Sequence, residues 1–342
     1  MRISLRDIAE AAGVSKSTVG YVLRNQVGPS KETRERVWRA AQKLGYVPDA
    51  RIASWMSRVR DARSKDLLPV AWLNTNSEKD DWQRYPFLAP YLNGVRERCL
   101  QLGYRLEEIW TRQPGVPMRR ISRMLYQQGI EGVIVTPPAR HIRLNWDNLA
   151  GVTFGTELVV PKLHRVKSDE IFNFLLALRT LRKLGYRRIG ICLTDRIDQY
   201  SDHVISAVAH HMALTTPQVI PPLFYQFNED GEGLSQQKEI RRWMKRHKPD
   251  VIIGLDNRLV KWVEAQGYRV PRDVGVVHLA LDNDVLDWAG IYSNKKEIGR
   301  ITAELLISLI NNRQFGIPGI ASTTQVRGEW RSGRTLLGPK PG

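Results

Sequence analysis

The stretch Leu5–Tyr46, LRDIAEAAGVSKSTVGYVLRNQVGPSKETRERVWRAAQKLGY, decides how the N-terminal part of this chain folds. Leu5, Ile8, Ala9 and Ala12 recur at helical spacing, so LRDIAEAA reads as one short amphipathic helix. Gly13 stands where a left-handed C-terminal cap is wanted, and Ser15 is suited to cap the helix that KSTVGYVLR begins. Two short helices joined by a three- or four-residue turn containing Gly form the helix-turn-helix pattern. Val14, Val19, Val22 and Leu23 then pin the helices together, while Lys16, Ser17, Gly20 and Tyr21 face outward. A third helix is capped by Ser30, buries Val37, Ala40, Ala41 and Leu44, and stops at Gly45-Tyr46-Val47-Pro48. On spacing alone, a DNA-binding head and an ordinary three-helix bundle with a basic face fit the segment about equally.

The charge separates those two readings. The 342 residues hold 52 Lys/Arg and 35 Asp/Glu, a net charge of +17. Residues 1–66 carry 14 of the basic and 7 of the acidic groups, so +7 is concentrated in under a fifth of the chain. A dense basic head suits contacts to DNA phosphates, each of which releases counterions and makes affinity salt-dependent. The length suits two or three domains rather than one core, and 42% hydrophobic residues suffice for globular units. No stretch is long and apolar enough to span a bilayer. Arg2, Arg6, Asp7 and Glu10 occupy the place of an apolar export signal, so a cytoplasmic protein is expected. Cys99 and Cys192 lie in apolar patterns and read as reduced core residues.

After Pro48 the polar, basic DARIASWMSRVRDARSKD places Ile52, Trp55, Met56 and Val59 at helical spacing. So short a helix is marginal alone in water. It is expected to form only against a partner copy or a DNA groove, where cations meet phosphates and Trp55 or Met56 opens a base step. From Leu67 the pattern alternates between strands (LPVAWL, YRLEEIW, GVIVTPP, GVTFG, HRVKS, RRIGICL, PLFYQF, DVIIGL, VGVVHLAL) and helices over 91–102, 119–128, 172–184, 203–214, 236–246, 258–266 and 297–311. Such alternation implies parallel sheets covered on both faces. About ten strands exceed one comfortable sheet, so the fold expected is an all-α head followed by two doubly wound α/β subdomains, with ligands bound outside the carboxyl ends of the strands.

The motifs of common enzymes are missing: no GxGxxG, P-loop, GxSxG, HExxH or paired CxxC occurs, and no catalytic residue is nominated. His203, His210 and His211 lie on or near one helix, but no Cys or further His stands near, so a helix face outweighs a metal site. No metal or cofactor is expected. Asp250, Asp256, Asp282, Asp284 and Asp287 fall at strand ends or loops and read as ligand contacts or caps rather than a catalytic pair. Trp72, Trp82, Trp146, Trp288 and Trp330 read mostly as core, with one or two against a ligand.

Taken in order, L-R-D-I-A-E-A-A-G-V-S-K-S-T-V over 5–19, the run Gly28–Val37 and L-G-Y-V-P at 44–48 resemble the lactose/galactose-repressor family. Weaker similarity continues through R-R-I-G-I at 187–191, G-Y-R-V-P-R-D-V-G-V-V at 267–277, E-I-G-R-I-T-A-E-L-L at 297–306 and the terminal G-E-W-R-S-G-R-T. The resemblance implies a homodimeric transcription regulator, a repressor, with a core like periplasmic sugar-binding proteins and a small-molecule effector, a carbohydrate or related metabolite, between two subdomains. It implies DNA base contacts from Lys16, Ser17 and Tyr21, and phosphate contacts from Ser4, Ser15, Thr18, Asn25, Ser30 and Thr33. Trp55 stands where the family inserts a Leu into the minor groove, with Met56 beside it. Tyr21 replaces an Arg that forks onto guanine, so the operator is expected to differ there. For the effector, Asn74, Asn76, Pro137, Asp256 and Asn257 are expected in the pocket; Asp202 and His203 stand where the family has a Ser…Arg arrangement, and Asp282 comes later than the family's sugar-contacting Asp. The expected organisation is a head over 1–49, a hinge over 50–66 and a core over 67–342. The core divides into one subdomain of about 67–162 and 290–318 and another of about 163–289 and 319–338. The competing readings are a sugar-binding transport protein and an enzyme on the same core.

Overall fold

The computed structural model describes residues 5–23, 28–45, 67–80, 86–195, 203–226, 234–282 and 284–338. In the head, α1 (Leu5–Ala12), α2 (Lys16–Leu23) and α3 (Lys31–Lys43) enclose a small core of Ile8, Ala9, Ala12, Val19, Val22, Val37, Ala40 and Ala41. Gly13 adopts φ +61, the left-handed conformation that a side chain resists. There it lets the Val14 N–H donate back to the Ala9 carbonyl at 3.0 Å, closing α1. The Ser15 hydroxyl accepts the Thr18 N–H at 3.1 Å, and Ser30 accepts that of Thr33 at 3.2 Å. Each helix after the turn therefore starts on a hydroxyl cap, as its sequence demands.

The core contains two six-stranded sheets. The first runs β11-β5-β4-β3-β1-β2, using β1 (Leu68–Asn74), β2 (Tyr104–Trp110), β3 (Gly132–Val135), β4 (Ala150–Phe154), β5 (His164–Ser168) and β11 (Thr323–Val326), all parallel. The second runs β12-β10-β9-β8-β6-β7, using β6 (Ile189–Thr194), β7 (Leu223–Tyr225), β8 (Val251–Gly254), β9 (Gly275–His278), β10 (Ala289–Tyr292) and β12 (Glu329–Arg331). Only β12 is antiparallel to its neighbour.

Helices cover both faces, which is why the central strands are continuously apolar rather than alternating. On β1, Val70 and Trp72 face α4 (Ala89–Gln101) and α10 (Lys295–Asn311), while Ala71 and Leu73 face α5 (Met118–Gln127). On the second sheet, α6 (Glu170–Lys183) and α7 (Val204–Thr215) cover one face through Phe174, Leu178, Leu181, Ile205 and Ala209. Helices α8 (Leu234–His247) and α9 (Leu259–Glu264) cover the other through Ile240, Trp243, Met244, Val260 and Val263. Trp72, Trp146 and Trp288 are buried core residues, and both cysteines are buried and free. Burial alone pushes the Cys99 thiol up to about 12.

The chain crosses between sheets three times, and the crossings correct the expected boundaries. Strand β5 belongs to the first sheet, so the first crossing follows Ser168 rather than residue 162. Strand β10 belongs to the second sheet, which moves the return from residue 290 to beyond Tyr292. Strand β11 pairs with β5, so the last crossing lies between Val326 and Glu329 instead of at 319. Two strands, β10 and β11, had no signal of their own. AGIY is short and half small residues, and TTQV is an exposed edge held by main-chain pairing to β5.

Helices α4 and α10 meet backbone to backbone. A Cβ on Gly94 would overlap the Lys296 carbonyl, and one on Gly299 would overlap that of Tyr91. Two glycines facing each other's helices set this approach, and neither neighbour is a side chain that can turn aside. Gly299→Ala is expected to destabilise the core by about 1–3 kcal/mol, as overpacking does. Urea unfolding of wild type and variant reads it directly. Unchanged midpoints would show that the two helices separate at little cost.

Candidate functional site

Two places on the chain concentrate exposed or convergent polar chemistry: the outer face of α2 and the carboxyl ends of the two sheets. On α2, Lys16, Ser17 and Tyr21 are exposed, with Tyr21 at 46% accessibility, while Val19 and Val22 are buried. Gly20, expected to face outward, is buried, because it follows Val19 onto the side packed against its neighbours. The exposed face of α2 is therefore Lys16, Ser17 and Tyr21 without Gly20. Ser15, Ser17 and Thr18 form one hydroxyl cluster at the start of α2, with Ser15 Oγ 2.7 Å from Ser17 Oγ and 2.8 Å from Thr18 Oγ1. Ser30 and Thr33 form a second such pair at the start of α3, 2.9 Å apart. Hydroxyls and N–H groups at helix N-termini are suited to phosphate oxygens. Ser4, Asn25, Trp55, Met56 and Asp202 lie outside the described residues.

In the core, β5, β11 and β10 all end at the crossings, so the carboxyl ends of both sheets flank them. Side chains knit the crossings together. Asn173 on α6 donates to Ser168 Oγ at 2.9 Å and accepts the Gly328 N–H at 2.7 Å. Asn294 donates to the Arg327 carbonyl at 3.0 Å, and the Arg327 guanidinium lies 4.6 Å over the Phe172 ring. Gly328 must be glycine here: a Cβ would stand 2.6 Å from Ile291 Cγ2 and 2.8 Å from Asn173 Oδ1.

The nominated effector residues fall into two groups. On the first sheet, Asn74 ends β1 and Pro137 comes after β3, both buried, and Asn76 is half-buried. Asn74 is fully used by its own loop. Its amide donates to the Lys79 carbonyl at 2.8 Å and to Glu108 at 3.0 Å, and its oxygen accepts both the N–H and the side-chain amide of Asn76. It shapes the loop and has no capacity left for a ligand. Threonines close this end of the sheet in its place: Thr75 donates to Thr136 O, Thr136 to Leu73 O and Thr153 to Val135 O, each at 2.8 or 2.9 Å.

On the second sheet, Asp256 and Asn257 follow β8 and Asp282 follows the adjacent β9. Asn257 Nδ2 reaches Asp282 Oδ1 at 3.4 Å. Asp256 is buried and gripped by Arg258, which donates from Nε at 3.0 Å and from its terminal nitrogen at 2.9 Å, with Tyr225 Oη at 3.4 Å. The same guanidinium lies 4.7 Å over Trp262. A bidentate, ring-stacked arginine is the arrangement that tolerates burial of a carboxylate. Sequence reasoning missed Arg258 and Tyr225, since nothing in their spacing marks them. Nearby, burial holds the His278 ring below its ordinary pKa and lowers that of Lys295, with Asp282 opposing both shifts. His203 sits exposed at the start of α7 in the left-handed conformation, φ 61, and His210 stacks on Phe224 at 5.2 Å.

Comparison with known proteins bears on both places. Residues 4–49 match the family described as bacterial regulatory proteins, lacI family, and residues 178–327 match the periplasmic binding protein-like domain. The chain is similar to the HTH-type transcriptional repressor PurR of Aliivibrio salmonicida, with 23% identity over 330 residues, covering 91% of this chain and 93% of that protein. Among solved structures it resembles the transcriptional regulator CelR–cellobiose complex at TM-score 0.53 and 20% identity, covering 98% of this chain and all of that one. It resembles the lac repressor dimer bound to operator and the anti-inducer ONPF at TM-score 0.55 and 16% identity, with the same coverage. At such identities the structural likeness speaks for the fold, while the head match speaks for what stands on it. No helix among the described residues is long and apolar enough to cross a membrane. A lacI-family helix-turn-helix head therefore stands before a periplasmic binding protein-like core of two α/β subdomains, the plan seen in the transcriptional repressor PurR and the lac repressor.

Proposed function

We propose that this regulator acts in the cytoplasm as a homodimer that represses transcription from a two-half-site operator, and that a carbohydrate or related metabolite bound between the core subdomains sets its DNA affinity. The observation that carries the DNA reading is the split of α2 into a buried face, Val19-Gly20-Val22, and an exposed one, Lys16-Ser17-Tyr21. Lys16, Ser17 and Tyr21 read base edges in the major groove, and Ser4, Ser15, Thr18, Asn25, Ser30 and Thr33 hold phosphates. Tyr21 offers one hydrogen bond or an apolar contact to a thymine methyl, where an arginine forks onto guanine. Trp55 and Met56 form the minor-groove wedge of the hinge.

The effector reading rests on Asn257 and Asp282 converging at the ends of adjacent strands β8 and β9, with Pro137 and Asn76 at the end of the other sheet. That the CelR complex contains cellobiose supports a sugar-class ligand for the shared architecture. Ligand contacts from both subdomains favour one angle between them. The linkage then runs both ways: the effector alters operator affinity by the factor by which operator alters effector affinity. Relatives covering nine-tenths of the chain are regulators, which favours this reading over transport or catalysis.

Gel shifts with the intact chain and selected duplexes test the head. Tyr21→Arg is expected to change the preferred base at one position in each half-site, by about 1–3 kcal/mol of discrimination. An unaltered preference removes Tyr21 from the reading set. Trp55→Ala is expected to weaken operator binding more than non-operator binding, and equal losses would count against a wedge. For the core, a thermal-shift screen of sugars is expected to yield one that raises Tm. Asn257→Ala should abolish that shift while leaving effector-free operator binding intact. A full shift in the variant would place the ligand elsewhere.

A further inference from the structure

The amino end of the second sheet, opposite the crossings, carries chemistry that neither DNA reading nor the effector cleft uses. A pocket of about 350 Å³ opens there, lined by Arg179, Arg182, Lys183, Tyr186, Arg187 and Gln218. The volume lies at the lower end of the range for small-molecule sites. Four of the six lining residues are cations, and all four are exposed. Among the described residues, no carboxylate forms a salt bridge with Arg182, Lys183 or Arg187.

The local sequence leaves that charge unbalanced. None of the 24 residues from Ile171 to Thr194 is Asp or Glu, nor is any of the 26 from His203 to Asn228. These are the segments of α6, α7 and β6 that build this corner. Asp250 is the nearest acid, and its two oxygens accept the backbone N–H groups of Arg187 and Arg188 at 2.9 and 3.0 Å. It thereby fixes the loop that presents Arg187. The Arg188 guanidinium turns away, donating to the carbonyls of His247 and Lys248, and the His247 ring is held below its usual pKa by burial first and by Arg246 and Arg188 next. Arg182 and Lys183 do complement the dipole at the end of α6. Arg179 donates to the Leu175 carbonyl at 3.2 Å and lies 5.9 Å over the Phe172 ring, which leaves Arg187 and the missing acids unexplained.

The pocket's other wall is specific in a second way. Gln218 Oε1 is buried with no hydrogen-bond partner, an acceptor in need of a donor. Tyr186 is buried behind the cations, its hydroxyl 3.3 Å from where a Cβ on Gly275 would stand, so the floor is rigid. Arginine forks suit phosphate oxygens, and a lone buried amide oxygen suits a hydroxyl. We propose that this pocket binds a small phosphate ester bearing a hydroxyl group, as a second input separate from the effector cleft. An open recess of this volume with one orphan acceptor fits a small ester.

Isothermal titration of the full-length protein with glucose 6-phosphate, inorganic phosphate and glucose at constant ionic strength tests this. Glucose 6-phosphate is expected to bind saturably and more tightly than inorganic phosphate. In R182A/R187A that affinity should fall about tenfold or more, the scale of losing two charge-assisted hydrogen bonds. R182K/R187K, which keeps the charge but loses the forks, should retain part of it and guards against a folding artefact. Equal glucose 6-phosphate affinity in wild type and R182A/R187A would overturn the site. So would the absence of saturable binding by either phosphate compound. Inorganic phosphate binding as tightly as the ester would overturn the ester assignment. A non-operator duplex that loses as much affinity in R182A/R187A as the ester does would show a polyanion surface instead.

Discussion

The core depends on the three crossings between its sheets, and these depend on one buried hydrogen bond. Asn173 Oδ1 accepts the Gly328 N–H while the same amide donates to Ser168. One side chain on α6 thereby joins the first crossing to the third. A buried N–H left without a partner is costly, so the bond fixes where the last segment passes rather than merely decorating it. Gly328 fits because a Cβ would press on Asn173, Ile291 and the Tyr292 carbonyl. Asn294 at the second crossing reaches the Arg327 carbonyl, so all three crossings meet at one knot.

That knot sets polar bonds beside the apolar Phe172 and Ile291, while each subdomain is closely packed. The reciprocal glycines of α4 and α10 let two helix backbones touch, and apolar residues from four helices cover the faces of the second sheet. Closely packed bodies joined at such crossings suit a two-state response, because packed cores switch rather than deform. Both sheets turn their carboxyl ends to these crossings, and Asn257 and Asp282 lie there.

The charge of the chain follows the same geography. The second subdomain collects Asp256, Asp282 and Asp284 at its carboxyl end and arginines and lysines at its amino end. A parallel sheet makes this separation visible, since every strand's two ends lie at opposite poles. Net charge alone gave no sign of it.

Much of this was legible beforehand. Gly13, Ser15 and Ser30 announce turn and caps by residue type, and the strands YRLEEIW and HRVKS match β2 and β5 residue for residue, because local pattern and burial agree there. The helix-turn-helix, the doubly wound plan and the family were therefore determined by the sequence itself. Other features were decided only by tertiary structure. Gly20 is buried by the packing of α2, although its neighbours on the helix face outward. Strands β10 and β11 exist because partners hold them, not because AGIY or TTQV prefers to be extended. Asn74 looked free to bind a ligand until its loop folded back to saturate it, and Arg258 gained its role only when β7, β8 and α9 brought Tyr225, Asp256 and Trp262 around it. Local preference reaches only a few residues along the chain, while β11 pairs with β5, Tyr225 reaches Asp256 and Asn74 reaches Glu108 across 31 positions or more.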